Sequence, residues 1–190
     1  PTGRSLLLDE AWKRKRFKDA WRPGDTAYAS IGQGFLTVTP LQIAIYTLAL
    51  ANNGERVLPR LIRDPGTGVI DESRRVDGRM HWTANALQAV RDGMSDAIDK
   101  PYGTGRRAAI PGVPIAGKTG TAEYRDKGAL KKHAWMIAMV PENNPEYVFT
   151  IVCEDSDSGG HSAATVLKTL LQSLYQTENS PATGASSLHP

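Results

Sequence analysis

Residues 115–153 read IAGKTGTAEYRDKGALKKHAWMIAMVPENNPEYVFTIVC. Three strand-like runs, at 115–124, 133–140 and 146–153, are separated by RDKGALKK and PENNP, both rich in turn formers. Connections this short favour antiparallel neighbours, so the segment predicts a three-stranded meander. The second and third runs are apolar at both sets of alternate positions and are expected to be covered on both faces. The first run differs, because Lys118, Thr119 and Thr121 surround Gly120. On a strand, alternation puts Lys118 and Gly120 on one face and Thr119 and Thr121 on the other. A twisted strand at or near the sheet edge lets both sets border one groove. Such an edge offers free main-chain N–H groups to an extended peptide or an oxyanion. A lysine and two hydroxyls add one charge and several directed donors, a set suited to a carboxylate. Gly120 leaves room for a ligand backbone to lie close.

Helices are expected on either side of the meander. In residues 37–55, Thr39 is an N-cap, Pro40 fits the first helical position and Gln42 completes a capping box. Leu41, Ala44, Ile45 and Leu48 share one face of that helix, and Asn53-Gly54 stops it. The preceding stretch, 24–38, is too rich in glycine to predict a regular element. Its SIGQG is expected to make a tight turn in which Gln33 bonds the backbone. Residues 56–64 predict a short strand or extended segment. A second helix is expected over 83–99, with Leu87, Val90, Met94 and Ile98 at helical spacing, and 100–114 is a loop. Residues 162–175 predict a third helix, capped by Ser162, whose stripe of Val166, Leu167, Leu170, Leu171 and Leu174 packs across the meander. The polar residues 177–190 are expected to be a disordered tail. The fold class is therefore α+β, an antiparallel sheet flanked by helices, in one domain over residues 1–176.

The 190 residues suffice for one core, and 40% hydrophobic with 23% charged residues is ordinary for a globular protein. No apolar run approaches the roughly 20 residues needed to span a bilayer. The chain starts at Pro1 and its first methionine is Met80, so it is read as a piece of a longer protein. The lone Cys153 lies in an apolar run and is expected to act as a small buried hydrophobe. The net charge of +3 is mild. Much of it sits in WKRKRFKDAWR, residues 12–22, read as a solvated face with aromatics packed inward. No nucleic-acid module accompanies that patch, so no nucleic-acid partner is expected.

The strings around the box are more telling than the box alone. GKTGTAE leading into HAWMIAMVP, then YVFTIVCED and GGHSAATVLKTLL, resembles the C-terminal part of penicillin-binding protein transpeptidase domains. PGDTAYASIGQGFLTVTPLQIAIYTLALANNG is similar to the segment that precedes that part. The resemblance covers about residues 21 to 175. It is strongest to the elongation-type class B enzymes, which are penicillin-binding protein 2-like and cross-link peptidoglycan. It implies a penicillin-binding-protein/β-lactamase-like transpeptidase fold with three catalytic boxes. Only Lys118-Thr119-Gly120 is here: no serine is followed by lysine three residues on, and none by asparagine two residues on.

The resemblance implies catalytic roles for Lys118 and for the backbone N–H of Thr121, an oxyanion-hole donor. It implies that Thr119, Gly120 and Thr121 bind the substrate carboxylate region, or that of a β-lactam. The parent would cross-link stem peptides by serine acyl transfer, without metal or organic cofactor. This piece is expected to be inactive alone. Its implied partners are stem peptides, β-lactams, the remainder of its own domain and a membrane glycan polymerase. Its implied location is the cell envelope, at the outer face of the cytoplasmic membrane, the parent being anchored by an N-terminal helix. A β-lactam-sensing receptor and a non-catalytic remnant with exposed apolar surface are the rival readings.

Other residues bear on the site. His133 opens the second strand and His161 begins a helix, and both are read as surface or hydrogen-bonded residues. Glu123 either faces the site or pairs with an arginine. EDSDSGG, residues 154–160, is read as a solvated turn rather than a cation loop.

Overall fold

The computed structural model describes residues 8–59, 66 and 76–178. Two short helices open it, α1 (Glu10–Phe17) and α2 (Pro23–Ser30), followed by α3 (Pro40–Ala51). A small hairpin pairs β1 (Glu55–Val57) with β2 (Val76–Arg79). Helix α4 (Ala84–Asp99) then leads into a three-stranded antiparallel sheet of β3 (Ala116–Asp126), β4 (Ala129–Val140) and β5 (Tyr147–Cys153). Helix α5 (Ala164–Glu178) closes the described part after one π-helical turn, Gly159–Ala163. The α+β class and the meander are as the sequence predicts. The tail expected from residue 177 lies, beyond Glu178, outside the described residues, as does most of the extended segment expected over 56–64.

Strand β4 is the centre of the sheet, and its alternate residues feed two cores. Ala134, Met136, Ala138 and Val140 point to one face, where they meet Ile98, Ala108, Ala163, Leu167 and Leu171. Met139 and Ile137 point to the other, with Leu50, Leu87, Met94 and Ala116. Thus α5 covers one face, while α3 and most of α4 cover the other. Strand β5 is half-buried along nearly its whole length rather than fully covered, because it is an edge strand in this sheet. Cys153 is likewise half-buried, against the first core. Trimming Leu171 to alanine should cost about 2–5 kcal/mol, since a fully buried leucine leaves a cavity between α5 and β4. Urea unfolding of the chain checks it, and a loss below 1 kcal/mol would contradict the packing.

The predicted Thr39 cap stands, whereas Ser162 does not cap α5: it lies inside the π-helical turn before that helix, and Ser158 caps the turn. Thr39 and Gln42 form the capping box of α3, with bonds of 3.2 and 2.8 Å. Thr83 caps α4 by accepting from the Ala86 N–H. Arg91 of α4 donates to the Leu50 and Ala51 carbonyls, satisfying the open C-terminal end of α3.

Several expectations are corrected. Residues 24–38 do contain a helix, because Pro23 opens it and Asp25 accepts from the Arg22 N–H at 2.7 Å. The positive-φ glycines, Gly32 and Gly34, fall after its end and shape the turn that follows. Helix α3 buries Thr47, Ala49 and Leu50, whereas Leu41 is exposed. Val90 on α4 and Val166 and Leu170 on α5 also face outward. RDKGALKK is not a loop. Both strands run through it to a two-residue turn at Lys127-Gly128, where both φ angles are positive, the geometry that suits the twist of a hairpin. Of the basic segment's aromatics, Trp12 and Phe17 pack against Phe35, but Phe17 does not turn inward and stays 48% exposed. Lys13, however, is only 4% exposed, held by Asp25 at 2.6 Å and Asp19 at 3.3 Å. Among the described residues, Tyr28, Ile31, Leu36, Val38, Leu41 and Tyr46 are exposed large hydrophobics.

Candidate functional site

The box lies on β3, which is an edge strand of the sheet. Register fixes its faces. Lys118 lies opposite Ile137 and Gly120 opposite Trp135, while Thr119 lies opposite Met136 and Thr121 opposite Ala134. Residues directly opposite share a face, so Lys118 and Gly120 look toward the α3 and α4 side. Thr119 and Thr121 look toward the α5 side. The two sets are thus held on separate faces, each with its own neighbours.

On the first face the space is open. Lys118 is exposed, has no ion-pair partner among the described residues, and spends one N–H on the Thr119 carbonyl at 2.6 Å. Two ammonium donors remain for a ligand. A Cβ at Gly120 would touch only the Cβ of Trp135, at 3.4 Å.

On the other face both hydroxyls have partners from the chain. Thr119 Oγ1 donates to Thr104 Oγ1 at 2.7 Å. That leaves the Thr104 proton unspent in the pair. Thr121 Oγ1 accepts from the Gly159 N–H at 3.3 Å and keeps its own proton for another acceptor. Gly159 lies hard against the box: a Cβ there would sit 2.4 Å from the Gly120 carbonyl oxygen and 2.5 Å from that of Trp135. The close approach at this point is therefore Gly159 to Gly120, from behind the strand.

The edge itself is defined by Gln33. Its Nε2 donates to the Thr121 carbonyl at 2.8 Å, from a segment outside the sheet. In an antiparallel ladder a residue's N–H and C=O point to the same side. The Thr121 N–H therefore also points away from β4, to the free edge. Gln33 does bond the backbone, as the sequence predicts, but 88 residues downstream rather than within its own turn.

Neighbouring candidates resolve as follows. Glu123 pairs with Lys132 across the ladder at 3.3 Å, not with an arginine. His133 stacks on Tyr124 with ring centroids 4.3 Å apart, and its Nδ1 is buried without a hydrogen-bond partner among the described residues. The His161 N–H donates to Ser158 Oγ at the turn before α5. In EDSDSGG, Asp155 accepts from the Tyr124 hydroxyl and, at 2.9 Å, from Lys131, while Glu154 and Asp157 are solvated. No cluster of three metal-ligating side chains occurs among the described residues. Thr104, Gly159 and the partner of Gln33 went unrecognised in the sequence; the only signal was the glycine doublet at 159–160.

The hairpin cluster makes stability depend on pH. The Tyr124 bond, then Lys131, holds the Asp155 carboxyl below its usual range. The same bond to Asp155 raises Tyr124, and Asp155 likewise raises Lys131. Hydrogen bonds from Arg22 and Lys13 lower Asp19, and those from Lys13 and the Arg22 N–H lower Asp25. The lowered carboxyls contribute stability that is present above about pH 4 and is lost as pH falls through their folded values. The raised Tyr124 and Lys131 contribute stability present below about pH 10 and lost as pH rises further. Thermal melts should fall on both sides of that plateau, and Asp155→Asn should flatten part of the acid limb. An acid limb identical in that variant would contradict the assignment.

The family model described as penicillin binding protein transpeptidase domain matches residues 8–172. The chain is similar to the peptidoglycan D,D-transpeptidase MrdA of Haemophilus influenzae, 34% identical over 90% of this chain and 30% of the relative. Its structure is similar to Pseudomonas aeruginosa PBP2 in complex with WCK 5153, with a TM-score of 0.77 and 30% identity, covering 96% of this chain and 41% of that one. It is also similar to a chain in a structure on the coordination of polymerization and crosslinking by a peptidoglycan synthase complex. There the TM-score is 0.76 and the identity 26%, over 97% of this chain and 30% of the other. The chain thus spans 30% of that curated relative's length.

Proposed function

The chain belongs to the penicillin-binding protein transpeptidase family, and from that premise we propose that it is the substrate-gripping part of a peptidoglycan D,D-transpeptidase. In this reading a serine from the rest of the domain attacks the penultimate D-alanine carbonyl of a stem peptide. The terminal D-alanine leaves, and an amine of a neighbouring stem resolves the acyl-enzyme. A β-lactam enters the same path and stays as the acyl adduct.

The residues divide the work. The peptide lies along the free edge of β3. The Thr121 N–H faces the developing oxyanion, and the second donor is the N–H of the serine itself. Lys118 supplies an uncompensated positive charge on the open face, which favours the ionised intermediates of acyl transfer. The unspent protons of the Thr119–Thr104 pair and of Thr121 are available to the terminal carboxylate. Gly120 keeps the open face clear. No described residue forms a nucleophile and base pair here, so acylation requires the rest of the domain. The partner set includes that remainder, stem peptides, β-lactams and a membrane glycan polymerase, and the location is the cell envelope, at the outer face of the cytoplasmic membrane. The likeness to MrdA and to a chain of a peptidoglycan synthase complex supports both.

The observation that carries the reading is that one edge strand brings together an edge-facing Thr121 N–H and an exposed Lys118 with no ion-pair partner among the described residues. Replacing Lys118 with alanine in the complete protein should slow fluorescent-penicillin labelling by about 10²-fold or more. An unchanged labelling rate would remove the lysine from the mechanism.

A further inference from the structure

The free edge of β3 is less open than an edge strand usually is. In an antiparallel ladder, alternate residues turn both main-chain groups outward. Thr121 is one of them, so Thr119 is the next. Their carbonyls are the acceptors that a strand laid against this edge would use. Both are already taken by side chains of the chain itself. Lys118 Nζ donates to the Thr119 carbonyl at 2.6 Å, and Gln33 Nε2 donates to the Thr121 carbonyl at 2.8 Å. The Thr121 N–H thus stands between two covered acceptors.

The two covers differ in origin. Lys118 bonds its own neighbour on the strand. Gln33 comes from the turn between α2 and α3, 88 residues away. The backbone of that turn is pinned, because the Gln33 N–H donates to the Tyr28 carbonyl near the end of α2, at 2.9 Å. On either side, Gly32 and Gly34 take left-handed φ angles of 74° and 76°, which residues with a side chain rarely adopt. The turn is therefore shaped to aim one side chain at the strand. That half-buried side chain is flexible, so it can leave the carbonyl while the turn stays where it is.

Pairing geometry names what would replace it. A residue held opposite Thr121 in antiparallel register exchanges both bonds with it. Its carbonyl accepts from the Thr121 N–H, and its own N–H donates to the Thr121 carbonyl. In the transpeptidase reading that residue carries the carbonyl under attack. Its N–H in a peptide, or the side-chain amide N–H of a penicillin, therefore meets Gln33.

We propose that Gln33 is a latch on the Thr121 carbonyl, displaced by the amide N–H of the residue that is attacked, and that it sets how strongly the site rewards that N–H. The proposal rests on the transpeptidase reading and gives Gln33 a role in specificity, not in the chemical step. A ligand with the N–H exchanges one hydrogen bond for another and gains little. With the latch removed, the same N–H gains a whole bond, because the carbonyl it finds is held only by water.

The test uses the complete transpeptidase and two penicillins with the same phenylacetyl side chain. One is joined through an amide N–H, the other through an ester oxygen, so they differ in the one donor. The readout is the ratio of their second-order acylation rates, in which any effect common to both cancels. Gln33→Met keeps the length of the side chain and removes its donor. It should raise the amide-to-ester ratio by about three- to tenfold over wild type, the worth of one neutral hydrogen bond. Gln33→Glu, nearly the same shape and without a donor at neutral pH, should raise it likewise. A thermal melt confirms that each variant is folded, and either one serves if the other is not. A ratio that is unmoved or lowered overturns the latch, including the case in which both ligands slow equally because Gln33 only holds the strand in place. Fluorescent-penicillin labelling of the wild type separates the two readings. Labelling with an unmoved ratio refutes the latch alone, whereas no labelling refutes the transpeptidase reading and the latch with it.

Discussion

Replacing Thr121 with proline should slow penicillin acylation of the complete transpeptidase by about 10²–10³-fold, the usual worth of one oxyanion-hole donor. A backbone donor is normally beyond the reach of mutagenesis, because deleting it breaks the sheet. Here the geometry separates the two effects. The Thr121 carbonyl is taken by Gln33 from outside the ladder, so the N–H of the same residue makes no bond to β4. Proline is tolerated on an edge strand at such a position, where no ladder bond is lost. The preceding residue is Gly120, the one least restricted by a following proline. Thr121→Val supplies the comparison. It keeps the N–H and loses the hydroxyl that accepts from Gly159. The proline variant should be slower than the valine variant by at least tenfold; equal rates would mean that the N–H stabilises nothing.

The second large effect is expected at Gly159, which packs against the strand that carries the box. An alanine there would place its Cβ 2.4 Å from the Gly120 carbonyl oxygen, 2.5 Å from that of Trp135 and 2.9 Å from the Gly120 nitrogen. All three are backbone atoms of the two strands that carry the site, so no side chain can swing aside. Overpacking of this kind costs about 1–3 kcal/mol, and a conflict with backbone belongs at the upper end. For a domain of this size that is a fall in Tm of about 5–10 °C. Acylation should drop as well, because relief of the clash moves Gly120 and with it the Thr121 N–H. Gly24, by contrast, has nothing within 4 Å of a Cβ. Gly24→Ala should leave the melt within about 2 °C of wild type, the span of a surface change below 0.5 kcal/mol. A Gly159→Ala protein as stable as the Gly24→Ala one would contradict the packing.

Much of this arrangement can be read from local chemistry. The apolar rhythm of 133–140 and 146–153 marks two strands because each step of the alternation must be buried on one face or the other. Thr39, Pro40 and Gln42 mark a helix start because they satisfy its N–H groups through bonds only three residues long. The box is legible for a different reason, as a resemblance carried by several strings rather than by its own five residues. What the sequence concealed depends on contacts far apart in the chain. The Thr104 hydroxyl reaches Thr119 across a loop, and Gly159 reaches Thr121 over 38 residues. No periodicity encodes either contact.

Helix α2 starts at Pro23 with Asp25 bonded back to Arg22, and the glycines that make residues 24–38 read as irregular, Gly32 and Gly34, fall after its end. The hairpin turn was missed because Lys127 takes a left-handed conformation more usual for glycine or asparagine. The separation of Lys118 and Gly120 from the two threonines follows from alternation. The register of β3 against β4 places the two sets on the faces that alternation assigns them.

The central claim is that this chain grips the substrate while the nucleophile comes from elsewhere in the domain. Peptide mapping of the penicilloyl adduct tests it most directly. The complete protein is incubated with penicillin, digested, and the modified residue located by mass. The same is done with the 190-residue chain alone. The account predicts an adduct on a serine outside these residues in the complete protein, and no adduct on the isolated chain. A penicilloyl group on any residue between Pro1 and Pro190, in either sample, would contradict it.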